Sequence, residues 1–255
     1  MSDRAAVTLG VSLKLYLDIP RSVRWAQQVA GIARRQRAVR TGYLRLFVLP
    51  SLPALEATRA ALEGSGVQVG AQDLFWEDRG AYTGAVSGAD LRQAGCSFVE
   101  IGHAERRSVF GEDETVVRRK LAAAVRNQLV PIVCVGEASR EDDAAAVCLA
   151  QLASALEGLE RGVDELIVAY EPVWAIGAAD PAPDDVVTGV VTALRAALER
   201  DDRVAAASVI YGGSAGPGLL TRLGHGVDGL FLGRFAHDAE RFEHVVAEAA
   251  AILWS

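Results

Sequence analysis

The sequence contains few cysteines, and they form no recognisable pattern. Cys96, Cys134 and Cys148 are an odd number, and no two of them stand in a Cys-X-X-Cys spacing. The sequence therefore predicts neither a disulfide framework nor a zinc site. It also lacks an uncharged apolar run of about 18 residues, and it begins without a basic segment followed by a long apolar stretch. We therefore expect a reduced, cytoplasmic protein with no signal peptide and no transmembrane helix.

The sequence also lacks an excess of positive charge. Its 26 Lys and Arg residues are outnumbered by 33 Asp and Glu residues, which gives a formal net charge of −7. Nucleic acid is therefore an unfavourable partner, and an anionic ligand would have to be held by local donors against the overall negative field. Because 51% of the 255 residues are apolar, the chain can bury a large core, and we expect one domain over residues 1–255.

Short runs rich in β-branched and aromatic residues recur along the chain, each followed by a longer segment with helical spacing. Several runs, such as LIVAY, are apolar throughout, which is typical of parallel strands covered by helices. The eight predicted strands are Val7–Lys14, Leu44–Pro50, Val67–Leu74, Phe98–His103, Val130–Gly136, Leu166–Pro172, Ala206–Gly213 and Gly229–Arg234. The predicted helices include Ser22–Ala38, Asp113–Gln128, Asp184–Arg200 and Ala239–Leu253. Ser22 and Asp184 are predicted to be N-caps.

Alternating strands and helices of this kind are compatible with two architectures. Right-handed crossovers can close them into a (β/α)8 barrel, or they can form an open, doubly wound sheet. No Gly-X-Gly-X-X-Gly turn follows the first strand, and no Pro- or Gly-rich linker divides the chain into halves. These observations favour a single (β/α)8 TIM barrel, with eight parallel strands ringed by helices.

Polar residues stand at the carboxyl ends of five predicted strands, where barrel enzymes place their chemistry. Lys14 ends the first strand, His103 ends the fourth, and Glu171 lies at the end of the sixth. Glycine-rich turns follow the seventh strand (Gly212-Gly213-Ser214) and the eighth (Gly233-Arg234). Because the carboxyl ends of parallel strands meet at one rim, the sequence predicts a site there.

Glu171 lies among large apolar side chains in the segment LIVAYEPVWAIG. Loss of water disfavours its carboxylate and raises its pKa, which suits a general base at neutral pH. The alternative is a strand-end glutamate paired with an arginine. Pro172, Trp174 and Gly177 favour the base, because they indicate a stiff hinge and an apolar lid over residues 173–179.

His103 and Lys14 each allow more than one role. His103 precedes a short predicted helix, whose dipole favours the neutral imidazole, a donor to a substrate carbonyl. A packing or capping histidine is the alternative. Lys14 is suited to stabilising a phosphate or an enolate oxygen, or to forming a Schiff base. Glu105 is predicted to pair with Lys14, although the dipole alone also favours a glutamate at a helix start.

The glycines of the strand-seven and strand-eight turns, together with Gly177, are small residues where a backbone can approach an anion. In barrels the loops after strands seven and eight commonly bind phosphate. Such glycines also occur where a turn simply needs them. It is their order along the barrel that favours a phosphate site.

Five segments resemble the triosephosphate isomerase family. They are IGHAERR (101–107), VCVGE (133–137), AYEPVWAIG (169–177), YGGS (211–214) and VDGLFLG (227–233). The resemblance extends over nearly the whole chain and implies the barrel fold. It also implies isomerisation of a small phosphorylated sugar between aldose and ketose through an enediolate, without cofactor or metal. A glutamate base, a neutral histidine and a closing lid are the established pattern of that family.

The resemblance implies a role for each matching residue. Glu171 would be the base, His103 would polarise the carbonyl, and Lys14 would stabilise negative charge. The residues implied to bind the phosphate are Gly177, Ser214 and Gly233. A homodimer is implied through the Asp73–Ser87 loop, because Thr83 matches the tip that family members insert into a neighbouring subunit.

The chain departs from the family pattern at two positions near the predicted site. Ser12 stands where the family usually has asparagine, and Arg234 replaces a glycine of a phosphate loop. Both changes resemble the branch that isomerises tetrulose phosphates such as L-erythrulose 1-phosphate, and both residues are candidates for substrate binding. The leading interpretation is interconversion of glyceraldehyde 3-phosphate and dihydroxyacetone phosphate. A tetrulose-phosphate isomerase, a Schiff-base aldolase and a non-catalytic phosphosugar-binding protein are the alternatives.

Overall fold

The eight predicted strands are all present and close into one barrel. The structure, a computed structural model, describes residues 6–253. The strands are β1 (Val7–Ser12), β2 (Leu44–Leu49), β3 (Gln68–Ala71), β4 (Phe98–Ile101), β5 (Val130–Val135), β6 (Leu166–Tyr170), β7 (Ala207–Tyr211) and β8 (Gly229–Leu232). Each pairs in parallel with the next, and β8 pairs in parallel with β1. The predicted barrel fold is therefore confirmed.

Helices connect the strands and surround the barrel. The α-helices are α1 (Ile19–Arg35), α2 (Arg37–Arg40), α3 (Leu55–Ala61), α4 (Gly88–Gln93), α5 (Ala104–Phe110), α6 (Glu114–Arg126), α7 (Ala144–Leu156), α8 (Asp184–Leu198), α9 (Leu219–Leu223) and α10 (Ala239–Ile252). Short 3₁₀ helices span Leu52–Ala54, Val173–Ala175, Gly224–Gly226 and Arg234–His237. Within residues 6–253, none of the helices combines the length and the apolar character needed to cross a bilayer.

The predicted carboxyl ends of the strands extend one to three residues too far in every case. Strand β1, for example, ends at Ser12, because Lys14 has a φ of +47°, which no strand residue adopts. The polar residues that mark the site therefore lie in the loops just beyond the strands.

The two predicted N-caps are wrong. Helix α1 begins at Ile19, and the Asp18 carboxylate caps it by accepting the backbone N–H of Arg21 at 2.8 Å. Ser22 is instead a buried residue of the first helical turn. Asp184 is the first residue of α8 rather than the residue before it. Aspartate and serine both satisfy the capping rule, so the path of the preceding loop decides which of them stands at the helix start.

The inside of the barrel is filled by a cluster of buried side chains. The Phe47 ring lies against Phe98 and Phe231, with ring centroids 4.8 Å and 5.8 Å apart. Gly10 pairs with Phe47 in the β1–β2 register. A Cβ atom at Gly10 would lie only 2.1 Å from the tip of the Phe47 ring. The absence of a side chain at Gly10 therefore lets the phenylalanine fill the barrel centre.

We predict that Gly10→Ala lowers the free energy of unfolding by about 1–3 kcal/mol, because its methyl group overlaps the Phe47 ring. In Gly10→Ala/Phe47→Leu the shorter leucine leaves room for that methyl group. The double variant should therefore be more stable than the sum of the two single losses predicts. Urea unfolding of all three variants measures this coupling.

Gly189→Ala is the matched control, since a Cβ atom at Gly189 in α8 meets nothing within 4 Å. It should be neutral or slightly stabilising. Additive losses at positions 10 and 47 would contradict the packing argument.

Candidate active site

All of the predicted site residues line one cavity of about 710 Å³ at the carboxyl rim of the barrel. They are Ser12, Lys14, His103, Glu171, Gly177, Ser214, Gly233 and Arg234. Residues from β1, β4, β6, β7 and β8 and their following loops are thus brought together by closure of the barrel.

Lys14 has a backbone conformation that is rare for a residue with a side chain. Its φ of +47° lies in the left-handed region, where a Cβ atom is strained. The Gln72 amide supports this loop by donating to the carbonyls of Lys14 at 3.1 Å and Leu49 at 2.9 Å. The Lys14 ammonium donates to Glu105 Oε1 at 2.6 Å, which confirms the predicted pair. The positive charge is therefore held at the rim.

His103 is the N-cap of α5, and its hydrogen bonds define its tautomer. Its Nδ1 accepts the backbone N–H of Glu105 at 3.0 Å, so Nδ1 carries no proton. In the neutral imidazole the ring proton is therefore on Nε2, which lies 3.5 Å from Glu171 Oε2. Capping was one of the alternatives for His103. Because capping occupies Nδ1, it leaves the proton on Nε2, which faces the cavity.

Glu171 directly follows β6 and is 4% exposed. Its Oε2 has no hydrogen-bond partner among the described residues, so the alternative of a glutamate paired with an arginine does not hold there. Burial raises the pKa of Glu171, and the electrostatic interactions of its carboxylate with His103 and Lys14 offset this only in part. An unpartnered carboxylate with a raised pKa is suited to accepting a proton.

Glu100 is the main residue of the site that the sequence analysis missed. It lies on β4 with 3% exposure and accepts a hydrogen bond from Ser12 Oγ at 3.3 Å. Burial raises the pKa of its carboxyl to about 7. The sequence did contain an indication of this role. In the strand FVEI, Glu100 lies two positions after Phe98 and therefore on the same face of the sheet, and the Phe98 ring lies inside the barrel. A carboxyl group on that face has to be paired or functional.

Atoms of Glu100, His103 and Glu171 lie within 4.8 Å of one another, close enough to coordinate one metal ion. A metal on His103 Nε2 would require the ring proton on Nδ1. That proton would point at the Glu105 N–H, which Nδ1 accepts here. The hydrogen bonding of His103 therefore does not fit a metal site.

The segment after Glu171 is anchored first by Glu137, which follows β5 and is 1% exposed. The Glu137 carboxylate accepts the indole N–H of Trp174 at 2.7 Å and the Tyr170 hydroxyl at 3.2 Å. Its carbonyl accepts the Val173 N–H at 3.0 Å. These bonds hold the start of the predicted lid to the strand that precedes β6.

The far side of the same segment is anchored to the end of β7. The Ser214 hydroxyl donates to the Ala178 carbonyl at 2.7 Å, and the Tyr211 hydroxyl accepts the Ala182 N–H at 2.9 Å. Residues 173–179 thus lie between β5 and the β7 loop and border the cavity. Gating of this segment by an anion stays a prediction.

Three residues form the lid side of the cavity. They are Gly177, which belongs to the lid itself, and Gly233 and Arg234, which follow β8. Gly177 has a φ of +71°, and a Cβ atom there would lie 3.3 Å from Arg234 Nη2. The Arg234 guanidinium carbon lies 5.9 Å from the centre of the Tyr16 ring. Its side chain therefore extends across the mouth of the cavity, between the lid and the β1 loop. The Gly233 backbone is open, because a Cβ atom there would meet nothing within 4 Å.

A second cavity of about 840 Å³ adjoins the first on the side away from the lid. Both are lined by Ser12, Lys14, Tyr16, Glu100, His103 and Glu105. The second cavity continues along the loop of residues 73–87 and along α5, where Phe110 is 63% exposed. The two cavities therefore meet at the buried polar groups.

Comparisons with known proteins agree with this fold and site. A family model described as triosephosphate isomerase matches residues 7–249. An L-erythrulose-1-phosphate isomerase of Pectobacterium atrosepticum is 48% identical over 253 residues, 98% of this chain and 97% of that protein. A triosephosphate isomerase of Moorella thermoacetica is 44% identical over 216 residues, 82% of this chain and 87% of that protein.

The solved structures include a similar barrel. The crystal structure of triosephosphate isomerase from Bartonella henselae has a TM-score of 0.82 and 26% sequence identity, and the match covers 98% of this chain and 100% of that one. The family match over residues 7–249 includes all eight strand ends that carry the cavity. The chain therefore belongs to the triosephosphate isomerase family and is an isomerase of phosphorylated sugars.

Proposed function

We propose that this protein isomerises the four-carbon ketose L-erythrulose 1-phosphate by proton transfer through an enediolate. The observation that carries the proposal is the 48% identity to an L-erythrulose-1-phosphate isomerase over nearly the full length of both chains. Ser12 and Arg234, two of the departures from the usual family pattern, support it because both line the cavity that holds Glu171.

The proposed reaction begins at the carbon next to the carbonyl. The Glu171 carboxylate takes the proton from C3, and the electron pair of that C–H bond forms the C2–C3 double bond. The C2 carbonyl oxygen becomes an oxyanion, which the His103 Nε2–H and the Lys14 ammonium stabilise. Return of the carbon-bound proton from Glu171 to C2, together with transfer of the C3 hydroxyl proton to the C2 oxygen, leaves a hydroxyl at C2 and the carbonyl at C3. C1 is not available for this exchange, because it carries the phosphate ester.

The phosphate is proposed to bind at the lid side of the cavity. The backbone N–H groups of Gly177 and Gly233 are the donors expected there, in a loop arrangement that commonly binds phosphate in barrels. Ser214 would join them by exchanging its present bond to the Ala178 carbonyl for one to the phosphate. The Arg234 guanidinium at the cavity mouth adds a permanent positive charge with a forked set of donors. Such local charge is needed because the protein as a whole carries a net charge of −7.

A second candidate is the interconversion of glyceraldehyde 3-phosphate and dihydroxyacetone phosphate. The 44% identity to the Moorella thermoacetica triosephosphate isomerase favours it, and the same three groups, Lys14, His103 and Glu171, would carry it out. The Schiff-base aldolase is disfavoured, because Glu171 and the lid over residues 173–179 would then have no role, and because the Lys14 side chain is engaged by Glu105 at 2.6 Å.

We predict that kcat/KM for L-erythrulose 1-phosphate exceeds that for dihydroxyacetone phosphate. A pocket difference of one carbon group is worth about 10- to 200-fold. Steady-state kinetics on both substrates, with one enzyme preparation, measures the preference. A hundredfold advantage of the triose phosphate would overturn the four-carbon assignment and leave a triosephosphate isomerase. Binding of both compounds without turnover of either would indicate a non-catalytic phosphosugar-binding protein.

We predict that Glu171→Gln folds normally but loses about 10²- to 10⁴-fold in kcat, because an amide cannot accept the proton from carbon. In the parent, kcat/KM should increase as the pH rises through the pKa of Glu171. Since burial raises that pKa, the increase in kcat/KM should occur at a higher pH than it would with an ordinary glutamate as the base. Glu63→Gln, at an exposed position outside the cavity, is the control. Activity of Glu171→Gln within tenfold of the parent would remove Glu171 from the role of base.

We also propose a homodimer in which the loop of residues 73–87 inserts into the second cavity of a neighbouring copy. The edge of that cavity carries apolar side chains that water covers in the single chain, since Leu15 is 88% exposed and Phe110 is 63% exposed. Thr83 is exposed at the tip of the loop. Burial of these groups would stabilise a dimer.

We predict that Thr83→Arg converts the dimer to a monomer and lowers kcat, because a long charged side chain would have to be buried against the apolar edge of the second cavity at Leu15 and Phe110. Light scattering during size-exclusion chromatography gives the mass. Thr192→Arg, on the exposed face of α8, is the matched control. A fully active, monodisperse monomer of the parent would contradict the dimer proposal.

A further inference from the structure

We infer that Ser12 and Glu100 form the subsite that receives the terminal hydroxymethyl group of the four-carbon substrate. The inference rests on the proposed function, since a triose phosphate has no such group. It assigns Glu100 and Ser12 as specificity-determining residues at the end of the cavity opposite the phosphate side.

The direction of the substrate in the cavity follows from its chemistry. The phosphate and the terminal hydroxymethyl group are attached to opposite ends of the C2–C3 unit that reacts. With the phosphate at the lid side near Gly177 and Gly233, and C3 beside Glu171, C4 points away from the lid. Atoms of Glu100, His103 and Glu171 lie within 4.8 Å of one another. A carbon that Glu171 deprotonates is thus close to Glu100. A hydroxymethyl group attached to that carbon can reach the Glu100 carboxyl with a hydrogen bond.

The cavity has room at this end. Ser12 and Glu100 belong to the six residues that line both the 710 Å³ cavity and the 840 Å³ cavity. The space therefore continues past the reacting groups instead of ending at them. Ser12 has a short side chain at the last position of β1, and a larger residue there would extend into the space where the two cavities meet.

The two side chains also offer the right hydrogen bonds. A terminal hydroxyl has one proton to donate and two lone pairs to accept with. Ser12 is 4% exposed and Glu100 is 3% exposed. The distance from Ser12 Oγ to the Glu100 carboxylate is 3.3 Å, which is long for a hydrogen bond between two oxygens. A substrate hydroxyl that replaces or shares this bond keeps both groups satisfied. An analogue without the hydroxyl gains nothing from them.

The carboxyl end of β1 is held in place by a contact that does not involve the Ser12 side chain. The His237 Nε2 lies 3.0 Å from the Ser12 carbonyl oxygen, and the His237 ring lies 5.3 Å from that of Tyr16. This contact links the loop after β8 to the last residue of β1. The backbone of Ser12 is therefore fixed independently of its side chain, so a change of the side chain tests the subsite rather than the loop.

The test compares L-erythrulose 1-phosphate with an analogue in which the terminal CH₂OH is a methyl group. The parent enzyme should prefer the hydroxymethyl compound by about tenfold in kcat/KM, the effect of one hydrogen bond. Ser12→Ala and Glu100→Gln should each reduce this preference toward unity. Ser12→Asn should lower kcat/KM for both four-carbon compounds relative to dihydroxyacetone phosphate by about 10- to 200-fold, because it fills the space for C4.

Each ratio compares substrates on the same protein, so a general loss of activity or of folded protein cancels. Ser12→Ala, the smaller change, keeps the test valid if the asparagine variant fails to fold, and circular dichroism checks both. If the parent turns over L-erythrulose 1-phosphate but the preference is the same in all variants, the subsite is wrong and the proposed function stands. If the parent does not turn over that compound, the proposed function fails and the subsite fails with it.

Discussion

The removal of the Glu171 carboxylate from water is the constraint on which the rest of the site depends. A buried carboxylate with an unpartnered oxygen is costly, and it persists only where the surrounding structure holds it. Two glycines make the position possible: a Cβ atom at Gly136 would lie 1.9 Å from the Glu171 carbonyl oxygen, and one at Gly212 would lie 2.5 Å from Glu171 Cγ. The position of Glu171 therefore depends on close packing at the ends of three neighbouring strands, β5, β6 and β7.

The groups around Glu171 compensate for its charge without neutralising it. His103 gives up Nδ1 to cap α5, so its proton faces the carboxylate on Nε2. Lys14 is held in a left-handed backbone conformation with its ammonium on Glu105. Neither forms a close ion pair with Glu171, which leaves the carboxylate free to take a proton. Stability and reactivity thus oppose each other here, as is common where backbone strain and unpaired polar atoms occur together.

The protein carries an overall negative charge, but the proposed phosphate end of the cavity carries local positive charge. Positive groups reach it from separate parts of the chain, Lys14 from the β1 loop and Arg234 from the β8 loop. The lid connects this end to the buried carboxylate, because residues 173–179 begin two residues after Glu171 and are bonded to the β7 loop at Ser214. Under the proposed function, phosphate binding and the exclusion of water from Glu171 would therefore depend on one segment.

Several features of this protein could be predicted from the sequence because they depend on local pattern. Continuous apolar runs followed by helical periodicity predicted all eight strands in order. The polar residues at the strand ends predicted Lys14, His103 and Glu171, whereas Ser12 was predicted only through the family resemblance. Glu171 and its apolar neighbours follow one another in the chain, so its raised pKa was readable before any fold was known. The strand ends were misjudged, since glycines and apolar residues continue into the loops while hydrogen bonding stops.

Other features were decided only by the tertiary structure, because they depend on residues that are distant in sequence. Glu100 is an isolated charge in a strand until barrel closure brings Ser12 and Glu171 close to it. The direction of the Arg234 side chain depends on where the lid and Tyr16 lie. The sequence by itself thus determined the barrel and the chemical groups at its rim. The three-dimensional closure of the sheet decided which of those groups touch, since hydrogen bonds and burial act over a few ångströms of space and not over positions in a chain.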